Sequence, residues 1–224
     1  MLIYLVLFGI PMLLGLWAQM KVKSNFNRFA QVPLRSGKSG AEVARELLDR
    51  AGLHEVRVEP VNGFLSDHYD PRSRTLRLSE ATYAARSVAA AGVAAHEAGH
   101  ALQHQNNYAP LMLRSSLVPV TQFGSMLGPF LVMGGLALNF TGLAWVGVIL
   151  FAAASVFALV TLPVEFDASN RAKAQLSSMG YVTSEEAQGV EKVLDAAALT
   201  YVAAAVAAIG QLLYYVLMLT GRRD

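Results

Sequence analysis

Residues 87–105 read Ser-Val-Ala-Ala-Ala-Gly-Val-Ala-Ala-His-Glu-Ala-Gly-His-Ala-Leu-Gln-His-Gln, an alanine-rich stretch interrupted by three histidines and one glutamate. The composition predicts one long helix, from Glu80 to about His104. His96 and His100 stand four residues apart, so both imidazoles project from one face of that helix. A buried apolar helix carries such polar groups only where something satisfies them. The stretch therefore predicts a metal site.

Residues 96–100 form an HExxH pattern, which supplies two ligands and a catalytic carboxylate from one helix. Zinc suits imidazole nitrogen and tolerates an open fourth position. Glu97 lies about 100° round the helix from His96. From there it can take a proton from a zinc-activated water and pass it to a leaving amine. The chain has no cysteine, so the remaining ligand of this single zinc ion must be a histidine or a carboxylate.

The composition of the whole chain is that of a membrane protein. Apolar residues make up 54% of the 224 residues and charged residues only 15%, whereas soluble domains carry roughly 25% charged residues. Mean hydropathy is +0.39. The net charge of +2 offers no basic surface, so we exclude nucleic acid as a partner. We predict a mainly α, integral membrane protein with about four transmembrane helices in a lipid bilayer, plus a small α+β domain.

The positive charges beside the apolar stretches orient the chain, because cytoplasmic loops are rich in Lys and Arg. Lys21, Lys23, Arg28 and Arg35 follow the first stretch with no acid among them, whereas loop 139–142 has no charge. This places residues 21–116 in the cytoplasm. The predicted segments are a transmembrane anchor (1–20), a cytoplasmic α+β segment with the HExxH helix (21–116), a transmembrane hairpin (117–163), cytoplasmic helices (164–195) and a transmembrane helix (196–220).

The cytoplasmic segment combines helical and strand patterns. Ser39 and Glu42 have the spacing of a capping box, which predicts a helix start. Asn62-Gly63 is a hairpin turn signal between two apolar, strand-like stretches. The predicted antiparallel strands are residues 56–61, 64–69 and 75–78.

The third zinc ligand has to come from outside the HExxH helix. His104 lies about 12 Å from His96 along the helix axis, too far to bind the same ion. Glu165 is a suitable carboxylate that follows the apolar hairpin, on the same side of the membrane as the histidines. It is the favoured ligand. Asp67 and His68, on a neighbouring strand, are not excluded by spacing.

Three other side chains are candidates for supporting roles at the site. Asp67 is a candidate for orienting a ligand histidine. His68 either contacts substrate or is a turn residue before Asp70-Pro71. Arg171 either contacts substrate or meets lipid headgroups, and we favour the headgroups.

Several motifs together resemble the YugP-like membrane zinc metallopeptidases, over nearly the whole chain. They are Ser-Asp-His-Tyr-Asp-Pro at 66–71, Ala-Ala-His-Glu-Ala-Gly-His-Ala-Leu-Gln at 94–103 and Glu-Phe-Asp-Ala-Ser at 165–169. The order of elements also resembles the gluzincins of the HtpX and Ste24 type. The resemblance implies a zincin-like fold, zinc, peptide-bond hydrolysis and a bacterial cell (inner) membrane location. HtpX-type proteins have an aspartate four residues after the ligand glutamate to support the metal, where this chain has Ser169.

Residues and resemblance together predict a membrane-bound zinc endopeptidase with its site on the cytoplasmic side. Its substrates would be membrane proteins or membrane-proximal proteins and peptides. The alternative is a non-catalytic metal-binding membrane scaffold or assembly factor, which would not need the intact Glu97. A transporter is disfavoured because the apolar stretches lack ionisable residues. The sequence leaves the oligomeric state open.

Overall fold

The structure of the protein is a computed structural model that describes residues 2–221. The described chain is mainly helical, with one three-stranded sheet. Its helices are α1 (Leu2–Tyr4), α2 (Ile10–Ala30), α3 (Gly40–Arg50), α4 (Glu80–Tyr83), α5 (Val88–Gln105), α6 (Ala109–Ala137), α7 (Thr141–Ser178) and α8 (Ser184–Thr220). A π-helical segment, Leu5–Gly9, precedes α2. Its strands are β1 (Arg57–Val61), β2 (His68–Asp70) and β3 (Thr75–Ser79).

Within residues 2–221, four helices are long and apolar enough to cross a membrane, as the sequence predicts. They are the continuous run Leu5–Ala30 and the helices α6, α7 and α8. With 38 and 37 residues, α7 and α8 are longer than the roughly 20 residues that span a bilayer. Polar sequence therefore continues each of them beyond its apolar stretch without a break in the helix.

The chain divides into two compact units. The first comprises the described residues of Met1–Ala18, Ala109–Pro163 and Leu199–Asp224, and holds most of the apolar sequence of the long helices. Within it, α6 and α7 come close together at glycines: a Cβ on Gly135 would lie only 2.4 Å from the amide nitrogen of Ala144. The second unit comprises Gln19–Tyr108 and Val164–Ala198, and holds the sheet and the HExxH helix.

The prediction of purely antiparallel strands is wrong. The strand order is β1-β3-β2, in which β1 pairs with β3 in parallel and β2 pairs with β3 antiparallel. The turn signal at Asn62-Gly63 opens a longer loop, because Leu65 has a positive φ of 54° and residues 62–67 form no strand. The central position of β3 fits the full burial of Leu76 and Leu78 in the core of this unit.

The single helix predicted from Glu80 to His104 is interrupted at residues 84–87. The backbone there bonds to another segment, since Arg86 O accepts from Leu34 N and Ala85 O accepts from Gly40 N. Ser87 then begins α5, because its side chain accepts a hydrogen bond from Ala90 N. The capping box at the start of α3 is confirmed, with both of its reciprocal hydrogen bonds present.

Candidate metal centre

Helix α5 places His96 and His100 side by side in a buried position. Their rings lie at 4.8 Å between centroids and nearly perpendicular, at 85°. The side chains are only 11% and 10% exposed. The other faces of the helix consist mostly of alanines, which are buried in the core of the second unit. The two imidazoles are thus held in fixed positions, because the helix around them cannot rotate without breaking that packing.

Helix α7 brings Glu165 to the same place. Its side chain is 3% exposed, and its Oε2 atom faces both imidazoles. The approach depends on small residues: a Cβ added to Gly99 would lie 2.8 Å from the carbonyl oxygen of Ala168. Ala168 and Ala172 are themselves buried, as expected from their spacing after Glu165.

The three side chains meet with distances that suit one zinc ion. Glu165 Oε2 lies 3.2 Å from His96 Nε2 and 3.5 Å from His100 Nε2. All three ligand atoms lie within 4.8 Å of one another. Ligands about 2.0–2.1 Å from a tetrahedral zinc are roughly 3.3 Å apart, so the arrangement fits that geometry. The donors, two imidazole nitrogens and a carboxylate oxygen, are also those that zinc accepts.

The charges of this cluster are mutually stabilising. Burial alone would raise the pKa of Glu165, but hydrogen bonds and charge from His100 and His96 hold that pKa well below its usual range. Glu165 lies in the second unit, beyond the apolar stretch of α7. Burial would also lower the pKa of His100, yet the hydrogen bond to Glu165 and the charge of Glu97 raise it. Glu165 is therefore an anion at neutral pH, the form in which a carboxylate binds a cation.

The outward-facing nitrogens of the two imidazoles also have partners. His96 Nδ1 lies 3.1 Å from Ser169 Oγ. Ser169, four residues after Glu165, therefore contacts one of the candidate zinc ligands. His100 Nδ1 lies 3.0 Å from Gln103 Oε1. Such contacts orient the ring and select which nitrogen is left for a metal. Sequence reasoning missed Gln103, although its spacing of three residues from His100 on one helix could have revealed it.

Arg171 and Asp167 lie farther along the same network. Asp167 Oδ2 accepts hydrogen bonds from Gln103 Nε2 at 2.8 Å and from Arg171 Nε at 2.5 Å. The Arg171 guanidinium also lies over the ring of Tyr108, 5.8 Å from its centroid. Arg171 is thus tied to the cluster through two side chains, and makes no direct hydrogen bond to a histidine of the described chain.

Glu97 is largely buried on α5, only 8% exposed. Its neighbours on the helix are the two histidines, and its charge acts on His100. No hydrogen bond from within residues 2–221 occupies its carboxylate. That carboxylate is consequently available to a water molecule.

Three other sequence candidates have partners elsewhere. Asp67 accepts hydrogen bonds from the amide and the hydroxyl of Ser79, at the junction of β3 and α4. His68 is exposed, and its Nδ1 lies 2.8 Å from Ser66 O. His104 Nδ1 lies 3.0 Å from the hydroxyl of Tyr69, a contact that joins α5 to β2. The structure therefore brings His96, His100 and Glu165 together and gives Asp67 and His68 other contacts.

Residues 4–220 match the model of a protein family described as "Putative neutral zinc metallopeptidase". The chain belongs to this family. It is similar to the "Putative membrane protease YugP" of Bacillus subtilis (strain 168), with 52% identity over 211 residues that cover 94% of each chain. The expected family is thereby confirmed. No solved structure gives a significant match to the chain.

Proposed function

We propose that this protein is a membrane-bound zinc endopeptidase in which His96, His100 and Glu165 hold one zinc ion and Glu97 is the general base. One observation carries the proposal: Glu165, distant in the chain, lies 3.2 and 3.5 Å from the two HExxH imidazoles. Membership of a zinc metallopeptidase family supports the same assignment. With two helical histidines and a glutamate from another helix as its ligands, the proposed site would be of the gluzincin type.

The roles of the chain's own residues follow from their positions. A bound zinc ion would supply a Lewis acid that polarises the scissile carbonyl and makes water nucleophilic near neutral pH. Glu97 accepts a proton from the attacking water as a carbon–oxygen bond forms at the carbonyl carbon. The carbon–nitrogen bond then breaks, and Glu97 returns the proton to the leaving amine. Ser169 keeps the His96 ring oriented through its contact with Nδ1.

The substrates we propose are membrane proteins or membrane-proximal segments. In the sequence, Glu165 follows the apolar stretch of α7 almost directly, and the similar protein from Bacillus subtilis is named a membrane protease. The excess of Lys and Arg in residues 21–35 supports a site on the cytoplasmic side of the bacterial inner membrane.

The test uses the full chain purified in detergent. Zinc content is measured by mass spectrometry, and hydrolysis of fluorescent casein is followed with and without a chelator. We expect about one zinc per chain, and activity that the chelator removes and added zinc restores. Membrane proteins are also profiled for cleavage in cells that carry the wild type or Glu97→Ala. Zinc binding without hydrolysis of casein or of any profiled membrane protein would instead favour the scaffold function.

A further inference from the structure

Gln103 is the most completely enclosed polar side chain near the candidate metal centre. It is 0% exposed, in the helix that carries both histidines. Its amide makes three hydrogen bonds: Oε1 lies 3.0 Å from His100 Nδ1, and Nε2 donates to Val164 O and to Asp167 Oδ2, both at 2.8 Å. Every polar atom of the side chain is therefore used.

These partners fix the orientation of the Gln103 amide, that is, which side carries the oxygen and which the NH₂ group. Val164 O can only accept hydrogen bonds, and Asp167 Oδ2 already accepts one from Arg171, so the side of the amide that faces them must be the NH₂ group. If the amide were turned over, its oxygen would face two acceptors, and its NH₂ group would have only His100 as a partner. In a fully buried position that arrangement would leave several polar groups without partners. The oxygen of Gln103 must then face His100.

The orientation of Gln103 in turn decides the form of His100. An amide oxygen can only accept, so His100 Nδ1 must carry the proton and donate it. A neutral imidazole has one N–H, and its other nitrogen has a free lone pair. With the proton held on Nδ1, the lone pair lies on Nε2, the atom 3.5 Å from Glu165 Oε2.

The geometry points to Gln103 as a positioning residue that holds His100 in its metal-binding form, with Asp167 and Arg171 fixing the polarity of Gln103. This inference rests on the proposed zinc site and adds to it a series of contacts that runs from Arg171 through Asp167 and Gln103 to the ligand His100. Arg171 Nε donates to Asp167 Oδ2 at 2.5 Å, the same oxygen that accepts from Gln103 Nε2, and a guanidinium can only donate. The same hydrogen bonds join α7 to α5 next to Glu165, so one network positions ligands on both helices.

The experiment measures zinc affinity in the full-length, detergent-solubilised protein by competition with a chromophoric chelator. A second readout is the visible absorption of the Co²⁺-substituted protein, which reports ligand geometry. Gln103→Met keeps the size of the side chain but removes the acceptor. We expect its dissociation constant for zinc to rise by about 10–100-fold, the usual cost of losing a group that orients a ligand. Gln105→Met is the matched control, since Gln105 is exposed on the same helix and its side chain donates to Ala51 O, away from both histidines.

A polarity exchange tests the mechanism even if Gln103→Met does not fold. Gln103→Glu keeps the acceptor for His100 but turns a carboxylate oxygen toward Asp167, so affinity should fall. The same oxygen would also face Val164 O. Glutamate has nearly the volume of glutamine, so a loss of affinity in this variant reports the polarity of position 103 rather than its packing.

The outcomes separate this inference from the proposed function. Wild-type zinc affinity and an unchanged Co²⁺ spectrum in Gln103→Met would overturn the role of Gln103. So would a Gln103→Glu variant that binds zinc as tightly as the wild type. A wild-type protein that binds zinc but hydrolyses nothing would remove the peptidase proposal and leave this inference in place. A wild-type protein with no zinc affinity would overturn both.

Discussion

Gly99 and Ala168 lie at a close contact between the HExxH helix and the helix of Glu165. A Cβ on Gly99 would lie 2.8 Å from the carbonyl oxygen of Ala168, closer than side chains and backbone tolerate. The absence of a side chain at position 99 thus allows α7 to lie against α5. Because Glu165 lies one turn before Ala168, this contact sets the distance between the carboxylate and the two imidazoles.

The first prediction is that Gly99→Ala weakens the metal site. The added methyl group must push α7 away from α5, and overpacking of this kind costs typically 1–3 kcal/mol in folding free energy. Alanine is otherwise the better helix former, by about 1 kcal/mol. We therefore expect a lower thermal unfolding temperature together with a lower zinc affinity, both measured on the detergent-solubilised protein.

Gly92→Ala is the control for that variant. Gly92 lies on the same helix, and its added Cβ would meet a side-chain methyl of Val190 at 3.3 Å, which can shift slightly. It should keep zinc affinity close to that of the wild type. Equal zinc affinity in Gly99→Ala and the wild type would show that the helix contact does not position Glu165.

The second prediction concerns the proposed base. Glu97→Gln keeps the shape of the side chain but cannot accept a proton, so hydrolysis of casein should fall by ~10² or more. Zinc content should stay near one per chain, because Glu97 contributes none of the three clustered ligand atoms. Glu80→Gln, at an exposed position on α4, is the control for loss of a carboxylate. Full activity in Glu97→Gln would remove the general-base role.

The third prediction is topological, and the lack of native cysteine makes it clean. Single cysteines at the exposed positions Ser24, Ser73 and Thr141 should react differently with a membrane-impermeant thiol reagent in intact cells. Labelling of Thr141→Cys, with protection of Ser24→Cys and Ser73→Cys until the cells are opened, is the expected pattern. The reverse pattern would place the HExxH helix outside the cell.

Local patterns in the sequence were enough to predict part of this structure. The capping box at Ser39 and the four apolar helices depend on residues close together in the chain, and both are found. The parallel pairing of β1 with β3 was missed, because a turn signal at Asn62-Gly63 does not show which strand takes the central position of the sheet. Helix spacing could predict that His96 and His100 share a face, but no pattern could show their separation from Glu165.

The role of Gln103 was hidden for the same reason. Two of its partners, Val164 and Asp167, are 61 and 64 residues away in the chain. A glutamine in an apolar helix has no visible purpose until those partners are placed. The polar network around a site is therefore harder to predict than its ligands, whose chemistry alone makes them candidates.

The last prediction compares Glu165 with Asp167, two carboxylates on one helix that the structure places differently. Glu165 Oε2 faces both imidazoles, whereas Asp167 Oδ2 accepts from Gln103 and Arg171. A catalytic zinc site needs three protein ligands, so Glu165→Ala leaves only two. We expect Glu165→Ala to lose most of its zinc and all hydrolysis.

Asp167→Ala removes a carboxylate of the same charge from the same helix, which makes it the matched comparison. It should still fill with zinc when the metal is in excess, although with reduced affinity, because Gln103 loses one of its two acceptors. Asp67→Ala, which removes the partner of Ser79, should leave zinc content unchanged. Zinc that survives Glu165→Ala but falls on changing Asp67 or His68 would contradict the assignment of Glu165, since the third ligand would then come from the β2 side of the unit.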